Sequence, residues 1–175
     1  MAFTALSWNK LDSSTATASI TIPGGYTDYR LYYSIKGTDA SERQILMRMN
    51  NNSSNEYTGR FMYSDGTAIA EVTSGTSLTS PTSSIAIGFV PGADANKPWL
   101  AYEGFLNFFA NSLTYRRGFE FSGTYENNLS SGAVKTISGA GLTNLTDSIT
   151  SIQFFLSTGS IAAGSTFALF GATQV

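Results

Sequence analysis

The sequence predicts an all-β protein, an antiparallel sandwich or barrel of about eight strands. Three observations carry this. Apolar residues alternate over short runs, and Gly, Pro and Asn separate those runs at intervals of roughly 8–20 residues. No stretch keeps a helical period: the one helix-compatible segment, 39–47, already alternates from Gln44 onward. The 175 residues contain no fixed-period repeat and no linker-like composition break, so one domain over 1–175 is expected.

The elements follow in order. Residues 18–22 form a strand that Pro23-Gly24-Gly25 stops. Residues 29–36 put Tyr29, Leu31, Tyr33 and Ile35 on one face and Arg30, Tyr32, Ser34 and Lys36 on the other. Residues 44–49 place Ile45, Met47 and Met49 together. The Asn-rich 50–55 cannot easily extend a strand and reads as an exposed loop. Residues 57–63 resume the extended pattern up to a turn at Asp65-Gly66. After the Thr/Ser/Gly-rich 73–84, residues 85–90 make a strand, and 91–98 a loop bounded by prolines. Residues 99–109 are the most aromatic segment, and 113–125 centre on Phe119-Glu120-Phe121. Residues 129–141 are small, polar and Gly-punctuated, and 148–157 and 166–171 are the last apolar runs.

Composition removes most enzyme chemistry. There is no His and no Cys, hence no Ser-His triad, no thiolate nucleophile and no zinc site built from those ligands. Ten basic and twelve acidic residues leave a net charge of −2, with no bulk attraction to nucleic acid or an anionic membrane. Residues 1–10 lack the basic start and apolar core of a signal peptide, and no apolar run approaches the ~20 residues of a spanning helix. Charged residues are only 13 % while aromatics reach 13 %, and 24 Ser and 21 Thr supply most of the polarity. Soluble monomers usually resist association through charge. A chain this weakly charged is expected to cover part of its surface with protein.

The remaining candidates are few. Glu103 lies in Tyr102-Glu103-Gly104 and Glu120 sits between Phe119 and Phe121, so either could be a carboxylate in an aromatic cleft, and glycoside hydrolysis needs two such groups close together. Alternation, however, turns Phe119 and Phe121 inward and Glu120 out toward solvent or an arginine. Asp94, Asn96 and the oxygens of 50–56 form no calcium motif. Gly139-Ala140-Gly141 lacks the third glycine and the βαβ setting of a nucleotide site. Arg116-Arg117 is too small a patch for a duplex and suits an interface. Trp8, Tyr26 and Trp99 could stack on sugar rings or anchor a protein contact, as could Tyr102. The interface or glycan-contact candidates are therefore Trp8, Tyr26, Trp99, Tyr102, Arg116 and Arg117, with no catalytic, cofactor or metal residue expected.

Three segments carry a resemblance. Tyr29-Arg30-Leu31-Tyr32-Tyr33-Ser34 is followed by Ile45-Leu46-Met47-Arg48-Met49-Asn50-Asn51 and then Tyr57. Ile149-Thr150-Ser151-Ile152 and the closing Gly164-Ser165-Thr166-Phe167-Ala168-Leu169-Phe170-Gly171 complete it. Together they resemble small jelly-roll structural proteins of tailed bacteriophages, with Phe170 where that family usually carries Tyr. The resemblance covers about half of the chain and does not extend over 67–128. It implies a jelly-roll sandwich and a non-enzymatic virion component, in first place a capsid decoration (cement) protein stabilising the head. The alternative it implies is a tail-fibre or baseplate adhesin that binds host carbohydrate. The implied partners are other virion proteins, either the major capsid protein or tail components, with a homo-trimer as the expected assembly.

Overall fold

The computed structural model describes residues 2–65, 67–75, 82–94, 100–109, 117–126 and 134–173. Among them the regular structure is all strand. In chain order these are β1 (Thr4–Lys10), β2 (Thr17–Thr21), β3 (Asp28–Ile35), β4 (Arg43–Met49), β5 (Tyr57–Ser64) and β6 (Ile69–Ser74). Then come β7 (Ile85–Val90), β8 (Tyr102–Phe109), β9 (Arg117–Glu126), β10 (Val134–Thr143), β11 (Ser151–Leu156) and β12 (Thr166–Ala172). They build two antiparallel sheets, one of eight strands in the order β1-β12-β3-β8-β9-β10-β5-β6 and one of four in the order β2-β11-β4-β7. The expected two-sheet sandwich is present.

The strand number is a correction: twelve among the described residues, not about eight. Nine of the twelve coincide with runs read from the sequence; the three without one are β1, β6 and β10, and each hides its signal for a physical reason. β1 and β6 are the two edges of the large sheet, so neither carries a fully buried side chain to mark an inward face. β10 faces inward with Ile137 followed by Gly139, Gly141 and Thr143, and the last three are small residues that read as loop. A Cβ on Gly139 would stand 2.5 Å from the Phe61 Cβ and 2.6 Å from Phe121 Cζ. The glycine is there because rings from β5 and β9 occupy its side-chain space.

The core lies between the sheets and follows the alternation. Tyr29, Leu31, Tyr33 and Ile35 of β3 face Ile45, Met47 and Met49 of β4, and Ile152 and Phe154 of β11 face Phe167 and Leu169 of β12. Burying one such side chain contributes about 1.5–3 kcal/mol. Tyrosine hydroxyls then tie layer to layer. Tyr57 on β5 donates to Met49 O at 3.0 Å and accepts from Met49 N at 2.9 Å, on the facing sheet. Tyr102 on β8 donates to Ile87 O at 3.3 Å, also across the sandwich. Gly164 has φ +83, a turn conformation open to glycine, and Ser165 caps the adjoining turn by accepting from Lys36 N and donating to Ala162 O.

Two outcomes are expected. Gly123→Ala puts a Cβ 2.4 Å from Tyr102 Cζ and 2.6 Å from the Glu103 carbonyl, so it destabilises by about 1–3 kcal/mol, read as a lowered urea midpoint. Gly24→Ala meets nothing within 4 Å and serves as the neutral control. Burial pushes the Tyr33, Tyr102 and Tyr125 phenols well above the ordinary value of 10.0, with Glu42 adding to it at Tyr125. Raised folded values favour the neutral form, so this stability is intact below about pH 10 and falls as pH rises beyond it. Phenolate absorbance should show these tyrosines ionising only as the fold is lost.

Candidate functional site

The candidate surface is built by what the large sheet turns away from the core. Its outward positions align across the strands. One row runs Trp8, Ala168, Tyr32, Phe105, Ser122, Ser138, Met62, Glu71, one residue from each of the eight strands. The neighbouring row runs Ala5, Phe170, Arg30, Asn107, Glu120, Ala140, Arg60, Thr73. Every exposed large hydrophobic among the described residues belongs to this face or its lead-in: Phe3, Trp8, Tyr32, Met62, Ile69, Val134 and Leu142. The four-stranded sheet carries none, and its outward Phe155 lies under the Arg48 guanidinium at 4.6 Å.

The rows are uneven in height, which makes the face concave. Aromatic rings stand on β12, β3 and β8, where Tyr32 meets Phe170 edge-on at 5.7 Å and Phe105 at 6.3 Å. Apart from Glu120, the adjoining β9 and β10 turn out small groups along their middle, among them Gly118, Ser122, Ser138 and Ala140. Beyond them Arg60 and Met62 rise again on β5. Two hollows result. One, of about 830 Å³, lies between Phe3 and Arg30 on one side and Arg60 and Leu142 on the other, with Gly118 and Ala140 in its floor. The second, of about 510 Å³, lies along Tyr32, Ser34, Glu103, Phe105 and Thr124.

A fixed polar chain crosses the larger hollow. Arg30 Nε donates to Asn107 Oδ1 at 2.8 Å, and Asn107 Nδ2 donates to Glu120 Oε1 at 2.6 Å. The Arg30 guanidinium also lies over the Phe3 ring at 5.1 Å and near the Phe105 ring at 6.0 Å. In the smaller hollow Ser34 Oγ donates to Glu103 Oε1 at 2.6 Å.

Glu103 and Glu120 do share this face but do not form a hydrolase pair. Glu103 pairs with Thr124 and Glu120 with Asn107, four residues along the strand, a separation of about 13 Å at ~3.3 Å per residue. Either glycosidase geometry needs less, about 5–9.5 Å. No cluster of three or more Asp or Glu that could hold a metal occurs among the described residues. Asn50, in the Asn-rich loop, has φ 54 and spends its side chain on backbone, accepting from Thr150 N at 2.7 Å and donating to Ser148 O at 2.8 Å.

The six candidates from the sequence scatter. Trp8 stands on the edge strand β1 with 66 % of its surface exposed, as an interface or glycan contact requires. Tyr26 is half-buried, packed edge-on against Tyr29 at 6.0 Å and over Gly171. Tyr102 is corrected: it is fully buried between the sheets, because the alternation of β8 sends Tyr102, Leu106 and Phe108 inward. Arg117 opens β9 opposite Thr143, and only its backbone is described. Trp99 and Arg116 lie outside the described residues. The residues that do converge, Phe3, Arg30, Phe105, Asn107 and Glu120, come from four places in the chain. Only the outward phase of Arg30 and Glu120 could have pointed to them.

No protein-family model matches the chain, and no curated protein matches it. Among solved structures it is similar to CBM40 of the Ruminococcus gnavus IT-sialidase bound to α2,3 sialyllactose. That match has 11 % identity over 98 % of this chain and 93 % of the other, with a TM-score of 0.26. A structure of infectious bursal disease virus Gx strain matches at 13 % identity over 97 % of this chain and 40 % of the other, with a TM-score of 0.15. Likenesses at these scores carry no argument about function.

The polar chain is expected to contribute little to stability, since its members all reach solvent. Asn107→Ala should move the unfolding free energy by less than about 1 kcal/mol in urea titration.

Proposed function

We propose that the protein is a non-enzymatic structural component of a bacteriophage virion, a decoration (cement) protein that stabilises the head by covering joints between capsid subunits. The observation that carries this reading is where exposed apolar surface sits. Ile69 is 76 % exposed and Met62 59 %, both at the β6 edge, with Val134 close by on β10. Trp8 is exposed at the opposite edge, β1. A chain with 13 % charged residues has little else to oppose association at those edges. Edge-on contact between the β6 corner of one copy and the β1 edge of the next is heterologous, and a closed ring follows when the rotation closes, a homo-trimer in our reading. The remaining partner is the major capsid protein, and the setting is the virion. The phage resemblance of the flanking segments supports the same reading.

A second reading, a tail-fibre or baseplate adhesin, is favoured by the 830 Å³ hollow, whose size and mixed lining are those of a small-ligand site. Copy number separates the two. Hundreds of copies per particle are expected for decoration and about a dozen for a tail part, read from quantified gel bands of intact particles.

Covering one exposed side chain such as Ile69 contributes about 1.5–3 kcal/mol. Ile69→Asp should therefore weaken self-association or particle binding at least tenfold, measured by sedimentation and by binding to particles stripped of the protein. Particles lacking it should release their genome at a lower temperature. Unchanged heat release together with a dozen copies per particle overturns the decoration reading.

A further inference from the structure

We infer that the hollow crossed by Arg30, Asn107 and Glu120 is a binding site for a neutral hexopyranose oligosaccharide. The inference stands on the hollow alone and holds whether the protein sits on a head or a tail.

The first argument is the polarity of the chain across it. Arg30 offers donors only, Glu120 acceptors only, and Asn107 both. Their mutual hydrogen bonds, at 2.8 and 2.6 Å, fix the three planar groups side by side on adjacent strands. Those bonds use one edge of each group. Arg30 Nη1 also donates to Tyr32 Oη at 3.4 Å, which leaves Arg30 Nη2, one Asn107 amide hydrogen and Glu120 Oε2 to face a ligand. A row of fixed donors and acceptors is matched by groups that both donate and accept, and neighbouring sugar hydroxyls do so.

The second argument is charge. Asp28, Arg30, Arg60 and Glu120 line the hollow and sum to zero. A phosphate, sulfate or carboxylate would pair with an arginine but meet Glu120 and Asp28 as well. A cation would meet the reverse. A neutral ligand bears neither cost.

The third is shape and apolar surface. Phe3 and Leu142 are both partly exposed at its walls, and Gly118 and Ala140 form its floor. Together they offer carbon surface to the C–H faces of a pyranose ring, beside the polar row. The floor is open for a specific reason: a Cβ on Gly118 would meet only Leu142 Cδ2, at 3.7 Å. An extended peptide is disfavoured, because the hollow lies on a sheet face whose backbone is already paired rather than on an edge that can accept a strand.

The test uses the full-length protein and four neutral probes: the trisaccharides of β-linked glucose, β-linked galactose, α-linked mannose and β-linked N-acetylglucosamine. Sialyllactose and inorganic phosphate are the acidic comparisons, and backbone amide shifts are followed by NMR. At least one neutral probe should shift the Asn107, Gly118 and Ala140 amides in a saturable way at millimolar concentration. Gly118→Phe fills the floor and should abolish the shifts. Glu120→Ala, at an exposed position, keeps the fold and should weaken binding at least tenfold. Trp8→Ala, outside the hollow, should leave it unchanged.

The inference is overturned if no neutral probe shifts the hollow, if binding survives both Gly118→Phe and Glu120→Ala, or if only an acidic probe binds. None of these results alters particle copy number or heat release, so the decoration reading is tested separately.

Discussion

Tyr102 has to occupy space that two sheets approach from opposite sides. Its ring lies over Gly123 in the large sheet and Gly88 in the small one, where added Cβ atoms would come within 2.4 and 2.8 Å of Tyr102 Cζ. Its hydroxyl reaches Ile87 O, and its ring packs against Tyr33 at 5.8 Å and Tyr125 at 6.2 Å. Interiors are packed as densely as organic crystals, so a ring of this size demands missing side chains opposite it. Glycine supplies them. Much of the arrangement of β7, β8, β9 and β10 follows from pairing large rings with absent side chains.

Tyrosine suits this role because it brings a large apolar body and one polar end. Tyr57 and Tyr102 place that end on the backbone of the facing sheet, and Tyr29 reaches the Pro23 carbonyl. At one end of the sandwich Tyr125 donates to Glu42 Oε2 at 2.5 Å, and Lys135 lies 2.9 Å from the same oxygen. The Lys135 ammonium also faces the rings of Tyr63, Phe89 and Tyr125 at 5.4–5.8 Å. An ion pair enclosed by rings is costly to desolvate and stays favourable only while all its partners remain in place. It marks how this chain uses its few charges, as local fasteners.

The partition of large and small residues that packs the inside also shapes the outside. β10 carries Gly139 and Gly141 inward under the Phe121 and Phe119 rings of β9, and apart from Glu120, Val134 and Leu142 the two strands turn small groups outward, so the outer face is thin along their middle. The thinning leaves the outer hollows between the aromatic strands and β5. Arg30, Asn107 and Glu120 can lie across the larger one because the register of β3, β8 and β9 sets them opposite one another.

The class of fold and most of the core were legible from the amino-acid order alone. Period-2 alternation in 29–35, 45–49 and 152–156 marks a half-buried strand without reference to any neighbour, and Gly164 marks its turn through its permitted φ. Exclusion of histidine- and cysteine-based chemistry is likewise a matter of composition. Edge strands β1 and β6 and the glycine-bearing β10 were not legible, since a strand without a buried face has no periodic signature. Tyr102 shares the inward phase of Leu106 and Phe108 on β8, and room for its ring comes from Gly88 and Gly123 in two other strands. The hollow was decided only by tertiary structure. Register between strands far apart in sequence is set by backbone hydrogen bonds and core fit, and no local pattern records which residue will stand beside which.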